Sequence, residues 1–190
     1  MYLIYESKAL ILESFGAREA DKVFTLYTEE FGLIRARAQA VRKMESKLRP
    51  HLLDFSLIHL SLVRGKGSWR VVSARREKEL PDFSDERGKA FVRATTLILR
   101  LVQGERKDQK LFSIICSAYS LLLENTVEPS AFEIGLVLKI LHELGYVDPK
   151  DPFDGFLSNS EFSFETISHF APFAHRAVAI VNASLRESQL

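Results

Sequence analysis

Apolar and polar positions follow two different periods along this chain, and the change falls at Pro81. Before it, residues alternate with the period of two that a half-buried strand requires. Lys8–Glu13 is short and apolar with polar ends, and a loop with Gly16 leads into Lys22–Thr28, rich in β-branched and aromatic types. The turn Glu29-Glu30-Phe31-Gly32 joins that run to Leu33–Ala38, whose alternation sets Arg35 and Arg37 on one face. Pro50 precedes a fourth run, Leu52–Val63, in which Phe55, Leu57, His59 and Ser61 share a face with Phe55 and Leu57 as its apolar anchors. Gly65-Lys66-Gly67 is a hairpin signal ahead of the fifth run, Trp69–Ser73.

After Pro81 the period becomes helical. Ser84 is the expected N-cap, followed by Asp85 and Glu86 in a first turn that favours carboxylates. Phe91, Ala94, Leu97/Ile98 and Leu101/Val102 then recur at helical spacing up to Gly104. Asp108 opens a second helix carrying Leu111, Ile115, Ala118 and Leu122. Ser130 and Glu133 form a capping-box pattern for a third, with Phe132, Leu136, Ile140 and Leu144 on one stripe and Gly145 as a left-handed stop. A Pro/Asp-rich loop from Asp148 to Gly155 precedes a last helix around Phe173–Leu185. The predicted architecture is therefore α+β. Five strands, with room for a short helix between the third and fourth, form an N-terminal OB-fold β-barrel over residues 1–80. A C-terminal bundle of four helices follows over residues 81–190. The strand count suits an SH3-like barrel equally, so the pattern alone leaves that choice open.

Composition adds an asymmetry. The net charge of +1 divides into +5 for residues 1–80 and −4 for residues 81–190, so different partners are expected for the two halves. Cys116 is the only cysteine, which excludes an intramolecular disulfide and any zinc site built on two or more thiolates. Its apolar helical setting reads as that of a small buried hydrophobe. No apolar run reaches the ~18–20 residues of a membrane span. Met1–Glu6 lacks a basic segment and a small-residue cleavage site, so a cytoplasmic protein without a membrane partner is expected.

The chemistry concentrates between Arg35 and Arg49, where Arg35, Arg37, Arg42, Lys43, Lys47 and Arg49 are opposed in sequence only by Glu45. Most surface cations are simply solvated, but a belt this lopsided on a small barrel has an electrostatic reason to hold a polyanion, most commonly nucleic acid. If residues 41–47 form a helical turn, Lys43 and Lys47 share a face. No paired Asn or Gln stands ready to read bases, so binding without sequence preference is expected. Lys66 and Trp69 extend the candidate DNA-binding set, Trp69 as a stacking platform with Phe24 and Tyr27 behind it; barrel core is the preferred reading for all three rings. His51, His59, His169 and His175 are too scattered for a metal site. Asp148, Asp151 and Asp154 could hold a cation for nuclease chemistry, but two prolines and Lys150 interrupt them, and a surface loop is preferred. No nucleotide-cradling or nucleophile motif is present, so neither an enzyme nor a cofactor is expected. Phe153, Phe156, Phe162, Phe164, Phe170 and Phe173 read as bundle core, with a groove for a partner's apolar C-terminus as the sharper alternative.

These residues resemble the RecO family, recombination-mediator proteins of bacterial DNA repair. The resemblance runs through Gly16, Glu19 and Asp21, Leu26-Tyr-Thr-Glu-Glu-Phe-Gly32, Arg42-Lys43, Ser46-Lys47-Leu48-Arg49, Leu52 and Phe55, then Phe132 and Leu141-His-Glu-Leu-Gly-Tyr146. It departs from the family at Ala17-Arg18, which reads as an insertion, and at Ala40, where Gly is usual. It departs again after Tyr146, where the family's cysteine zinc motif has no counterpart. The chain is also shorter than the family norm, with the loss expected in the helical half. The resemblance implies an N-terminal OB-fold and a helical domain that together bind single- and double-stranded DNA, anneal strands and help load recombinase. It also implies two protein partners, the tail of single-stranded-DNA-binding protein and a RecR-type clamp. The candidate cations for that tail are Arg93 and Arg100, seven apart on the first helix with Phe91 and Leu97 nearby; ordinary solvated arginines are the competing reading. A generic OB-fold module for RNA or DNA, and a scaffold whose barrel binds protein, are the rival functions.

Overall fold

The computed structural model describes residues 3–124, 127–148, 152–159 and 161–187. The chain folds as two compact units, one of residues 1–80 with 103–109 and one of 81–102 with 110–190. The second unit starts at Pro81, and seven residues after the first helix, 103–109, return to the first unit.

Unit one is a closed barrel of five strands: β1 (Ile4–Gly16), β2 (Lys22–Thr28), β3 (Gly32–Ala38), β4 (Leu57–Arg64) and β5 (Trp69–Arg76). Around the barrel they run β1-β2-β3-β5-β4, with β4 closing on β1. The β3–β5 pairing is parallel and the others antiparallel. This is the Greek-key order of an OB-fold and excludes the SH3-like alternative. Alternation fills the interior: Phe24 and Leu26, Ile34 and Ala36, Ile58, Leu60 and Leu62, and Trp69 and Val71 form one cluster. The inward face of the fourth strand is therefore Ile58, Leu60 and Leu62, not the face of Phe55, Leu57 and His59. A period-two pattern cannot say which face is inside when both carry apolar residues. Phe55 precedes the strand with a left-handed φ of 60°, and its amide donates to the Ile11 carbonyl at 2.8 Å. No helix forms between β3 and β4. The segment advances instead by turns of three, the amides of Lys43, Ser46 and Arg49 donating to the carbonyls of Ala40, Lys43 and Ser46.

Unit two holds six α-helices among the described residues: α1 (Glu86–Leu101), α2 (Gln109–Glu124, its first residue assigned to unit one), α3 (Pro129–Glu143), α4 (Asp154–Ser158), α5 (Phe164–Phe170) and α6 (Ala174–Glu187). The short helices α4 and α5 exceed the four expected, because segments this brief leave little periodicity to detect. Two caps move by one or two residues. Asp85, not Ser84, caps α1 by accepting from the Gly88 amide at 2.6 Å, while Ser84 bonds Asp82. Glu128, not Ser130, caps α3 by accepting from the amides of Ser130 and Ala131. The stop at Gly145 has a φ of 81°. The Gly145 amide donates to the His142 carbonyl and the Tyr146 amide to that of Leu141, the paired bonds of a Schellman motif. Phe153, Phe156, Phe162 and Phe170 are buried, but Phe164 is exposed and Phe173 half-buried, so the phenylalanine series is only partly core. Cys116 is half-buried.

Candidate nucleic-acid interface

The strand geometry of β3 sorts its residues by parity. Ile34, Ala36 and Ala38 face the core, while Arg35 is exposed and Arg37 half-buried on the outside. Arg37 lies in register with Arg70 of β5, so the outer surface of β3 and β5 is itself cationic. Arg42, Lys43, Lys47 and Arg49 follow on the turns after β3, all exposed. Lys66 is exposed at the tip of the β4–β5 turn, where the Gly65 amide donates to the Ser68 carbonyl at 2.9 Å. Among the described residues none of Arg35, Arg42, Lys43, Lys47, Arg49 and Lys66 is held in an ion pair; Arg37 is. The turns do not bring Lys43 and Lys47 onto a helical face.

Asp21 is the latch of this surface. One of its oxygens accepts from both Nε and a terminal nitrogen of Arg37, and the other accepts from the Ala40 amide at 2.7 Å. The Ala40 amide, and after it the Arg37 guanidinium, hold the Asp21 carboxyl below its usual range. Ala40 is thereby fixed at a φ of 52°, a conformation natural to glycine and costly for alanine. The Arg42 amide donates to the Ala20 carbonyl at 3.0 Å, tying the start of the basic loop to the β1–β2 loop. Sequence separation hid this carboxylate: Glu45 is the nearest acid along the chain, but Asp21 is the one that meets the belt.

Trp69 is 3% exposed. Its ring meets Tyr5 edge-on at 5.4 Å, Phe31 at 4.8 Å and the Arg64 guanidinium at 5.1 Å. Its Nε1 donates to Glu105 at 3.0 Å. With those contacts it is a wall of the barrel and not a stacking platform, and Phe24 and Tyr27 are wholly buried as well. The exposed ring on this surface is Phe15, at the end of β1 and in register with Val23, which is in turn in register with Arg37. It escaped the sequence reading because it lies outside the alternating core of its run. Lys22 was also missed. It opens β2 and, with Arg42 and Arg49, lines a cavity of about 400 Å³ floored by Val41, Leu52 and Leu53.

In unit two, Arg93 is bound bidentately by Glu133, with Nε to Oε1 at 2.6 Å and a terminal nitrogen to Oε2 at 2.5 Å. Both residues edge a mainly apolar groove of about 310 Å³ between α1, α3 and α6, with Leu97, Val137, Val178 and Leu185 among its lining. Arg100 is exposed in the last turn of α1 and does not line that groove, and Phe91 is fully buried. Among the described residues no three His, Cys, Asp or Glu side chains converge as for a metal; Asp151 lies outside them. No described helix is long and apolar enough to cross a membrane.

Comparison with known proteins agrees with this geometry. The family model described as Recombination protein O N terminal matches residues 1–75. A DNA repair protein RecO of Gloeothece citriformis is 27% identical over 142 residues, covering 74% of this chain and 50% of that protein. One of Desulfitobacterium hafniense is 29% identical over 146 residues, covering 75% and 52%. One of Dehalococcoides mccartyi is 40% identical over 62 residues, covering 33% and 24%. The chain spans about half the length of the first two relatives.

Proposed function

We propose that this chain, whose residues 1–75 match the RecO family model, serves DNA repair as a non-enzymatic recombination mediator that binds DNA. The observation that carries this reading is the set of exposed, unpaired cations that β3 and its following loop set out on one barrel: Arg35, Arg42, Lys43, Lys47 and Arg49. An OB-fold uses the β2–β3 surface and the β1–β2 and β4–β5 loops for oligonucleotides, and Arg35, Arg37 and Lys66 stand on two of those three elements. Neutralising phosphates releases counterions and lowers the repulsion between two strands, which supports binding of single and double strands and their annealing. Trp69 enters this reading only as the support beneath the Lys66 turn.

The helical unit is the proposed docking platform for proteins that help load recombinase: the tail of single-stranded-DNA-binding protein, and a RecR-type clamp. Its support is the groove of α1, α3 and α6, which joins an apolar floor to a cation at Arg93.

Replacing Arg42, Lys43 and Lys47 together by Ala tests the DNA reading. If about four to six phosphates are neutralised, log K on single strands falls with log salt at a slope of roughly −3 to −4. The triple variant is expected to flatten that slope and weaken binding to every sequence alike. An unchanged affinity and slope would remove the belt from the interface.

A further inference from the structure

We propose that the mouth of the barrel, between Lys22, Arg42 and Arg49, is a seat for one unpaired nucleotide of a single strand. This rests on the DNA-binding reading above and gives the site a preference which the belt alone does not. It is formed by the first residue of β2 and by residues 41, 42, 49, 52 and 53 of the β3–β4 connection, so it opens at one end of the barrel. Its volume of about 400 Å³ falls among those of small-ligand sites, which are common in barrel mouths.

Two chemistries meet there. Lys22, Arg42 and Arg49 supply three cations, and none of the six lining side chains is acidic. Lys22 is held by the Ser14 hydroxyl at 3.3 Å and lies 5.9 Å from the centroid of Phe24. The Arg42 guanidinium reaches back over Gly16, 4.0 Å from where a Cβ would stand. The floor is aliphatic: Val41 and Leu52 are 3% and 4% exposed, and Leu53, its more open part, is 40% exposed. A cationic rim over an apolar floor matches a nucleotide, with its phosphate on the guanidinium groups and its base on the leucines. The floor is closed by barrel core, so a base must leave its stack to reach it. That costs a few kcal/mol in a duplex and least in a single strand. Sequence preference is not expected, since Val41, Leu52 and Leu53 offer no side-chain hydrogen bond to a base edge.

The test uses the full chain and three fluorescent probes of about 15 nucleotides: a mixed-sequence single strand, the same backbone without bases, and a blunt duplex. Because Leu53 is 40% exposed and lies outside the barrel core cluster, Leu53→Ala leaves that cluster intact. It is expected to weaken the base-bearing single strand about fivefold and to leave the other two probes unchanged. Leu53→Phe is expected to match or exceed the unaltered affinity for that strand, since an aromatic floor stacks on any base. Equal losses on all three probes, or no loss on any, would overturn the nucleotide seat while leaving the phosphate belt standing. If the unaltered chain bound none of the probes, the DNA-binding reading and the seat would fall together.

Discussion

Lys139 shows how one residue departs from what its type predicts. It lies on α3, 1% exposed, with Nζ donating to the Asn159 carbonyl and 4.6 Å from the Phe156 ring. Burial pushes its pKa down from 10.5 to about 8, with Glu143 opposing that shift. Between those values the unfolded chain holds the proton that the folded chain has released, so stability rises with pH across the interval. Lys139→Met has no such proton to lose. Thermal melts are therefore expected to shift in favour of the unaltered chain, relative to the variant, by about 3 kcal/mol between neutral pH and pH ~11. A difference that stays constant with pH would mean that the amine titrates normally in its buried site. Nothing in the sequence around Lys139 announced this: its neighbours Leu138 and Ile140 are apolar, but so are those of many exposed lysines.

At the scale of elements, the segment after α1 decides how the barrel is finished. Residues 103–109 belong to the barrel unit, where Glu105 accepts from Trp69 and pairs with Arg64 at 3.1 Å, and Lys107 pairs with Glu30 at 2.9 Å. Gly32, the first residue of β3, has a φ of 66°, and a Cβ there would stand 2.1 Å from the Arg106 carbonyl oxygen. Gly67, in the β4–β5 turn, also has a positive φ, 90°, but a Cβ there would meet nothing within 4 Å. The two glycines thus separate conformation from contact. Gly67→Ala is expected to cost about 1 kcal/mol, the penalty for a left-handed alanine. Gly32→Ala is expected to cost at least about 2 kcal/mol more, as backbone must move, and to expose residues 103–109 to protease. Denaturant melts and limited proteolysis check both; equal costs would mean that the segment does not rest on the turn.

For the whole molecule, the charge division between the halves sets the expected partners. The tail of single-stranded-DNA-binding protein, the partner proposed for residues 81–190, is acidic and ends in an apolar residue and a carboxylate, so a site for it would have to supply cations despite their net charge of −4. Arg93 is the groove's arginine, and Glu133 already occupies it. An incoming carboxylate competes with Glu133 for that guanidinium. A peptide copy of the tail is therefore expected to bind more tightly to Glu133→Gln and more weakly to Arg93→Glu, each by about fivefold or more. Arg100→Glu, outside the groove, is expected to change little. Calorimetric titration reads all three, and a peptide indifferent to Glu133 and Arg93 would place its site elsewhere.

The chain's own pattern determined the class of each half and the seams between elements. Alternation in Leu33–Ala38 marked one strand almost to the residue, because its side chains alternate between core and outer surface, and β-branched and aromatic residues marked Lys22–Thr28, whose last five residues are buried on both faces. Leu-Gly-Tyr146 marked the end of α3, because only a residue tolerant of positive φ makes that stop cheaply. The crowding of cations between Arg35 and Arg49 was visible for the same local reason. What tertiary structure alone decided was which of these groups meet residues far along the chain. It set Asp21 against Arg37 and Ala40, buried Trp69 between Tyr5, Phe31 and Arg64, and brought Lys22 beside Arg42 and Arg49. Periodicity reports how a side chain faces its own element's neighbours. Barrel closure sets the distances between residues of different strands, and those distances decide which cations remain free for a phosphate and which are already paired.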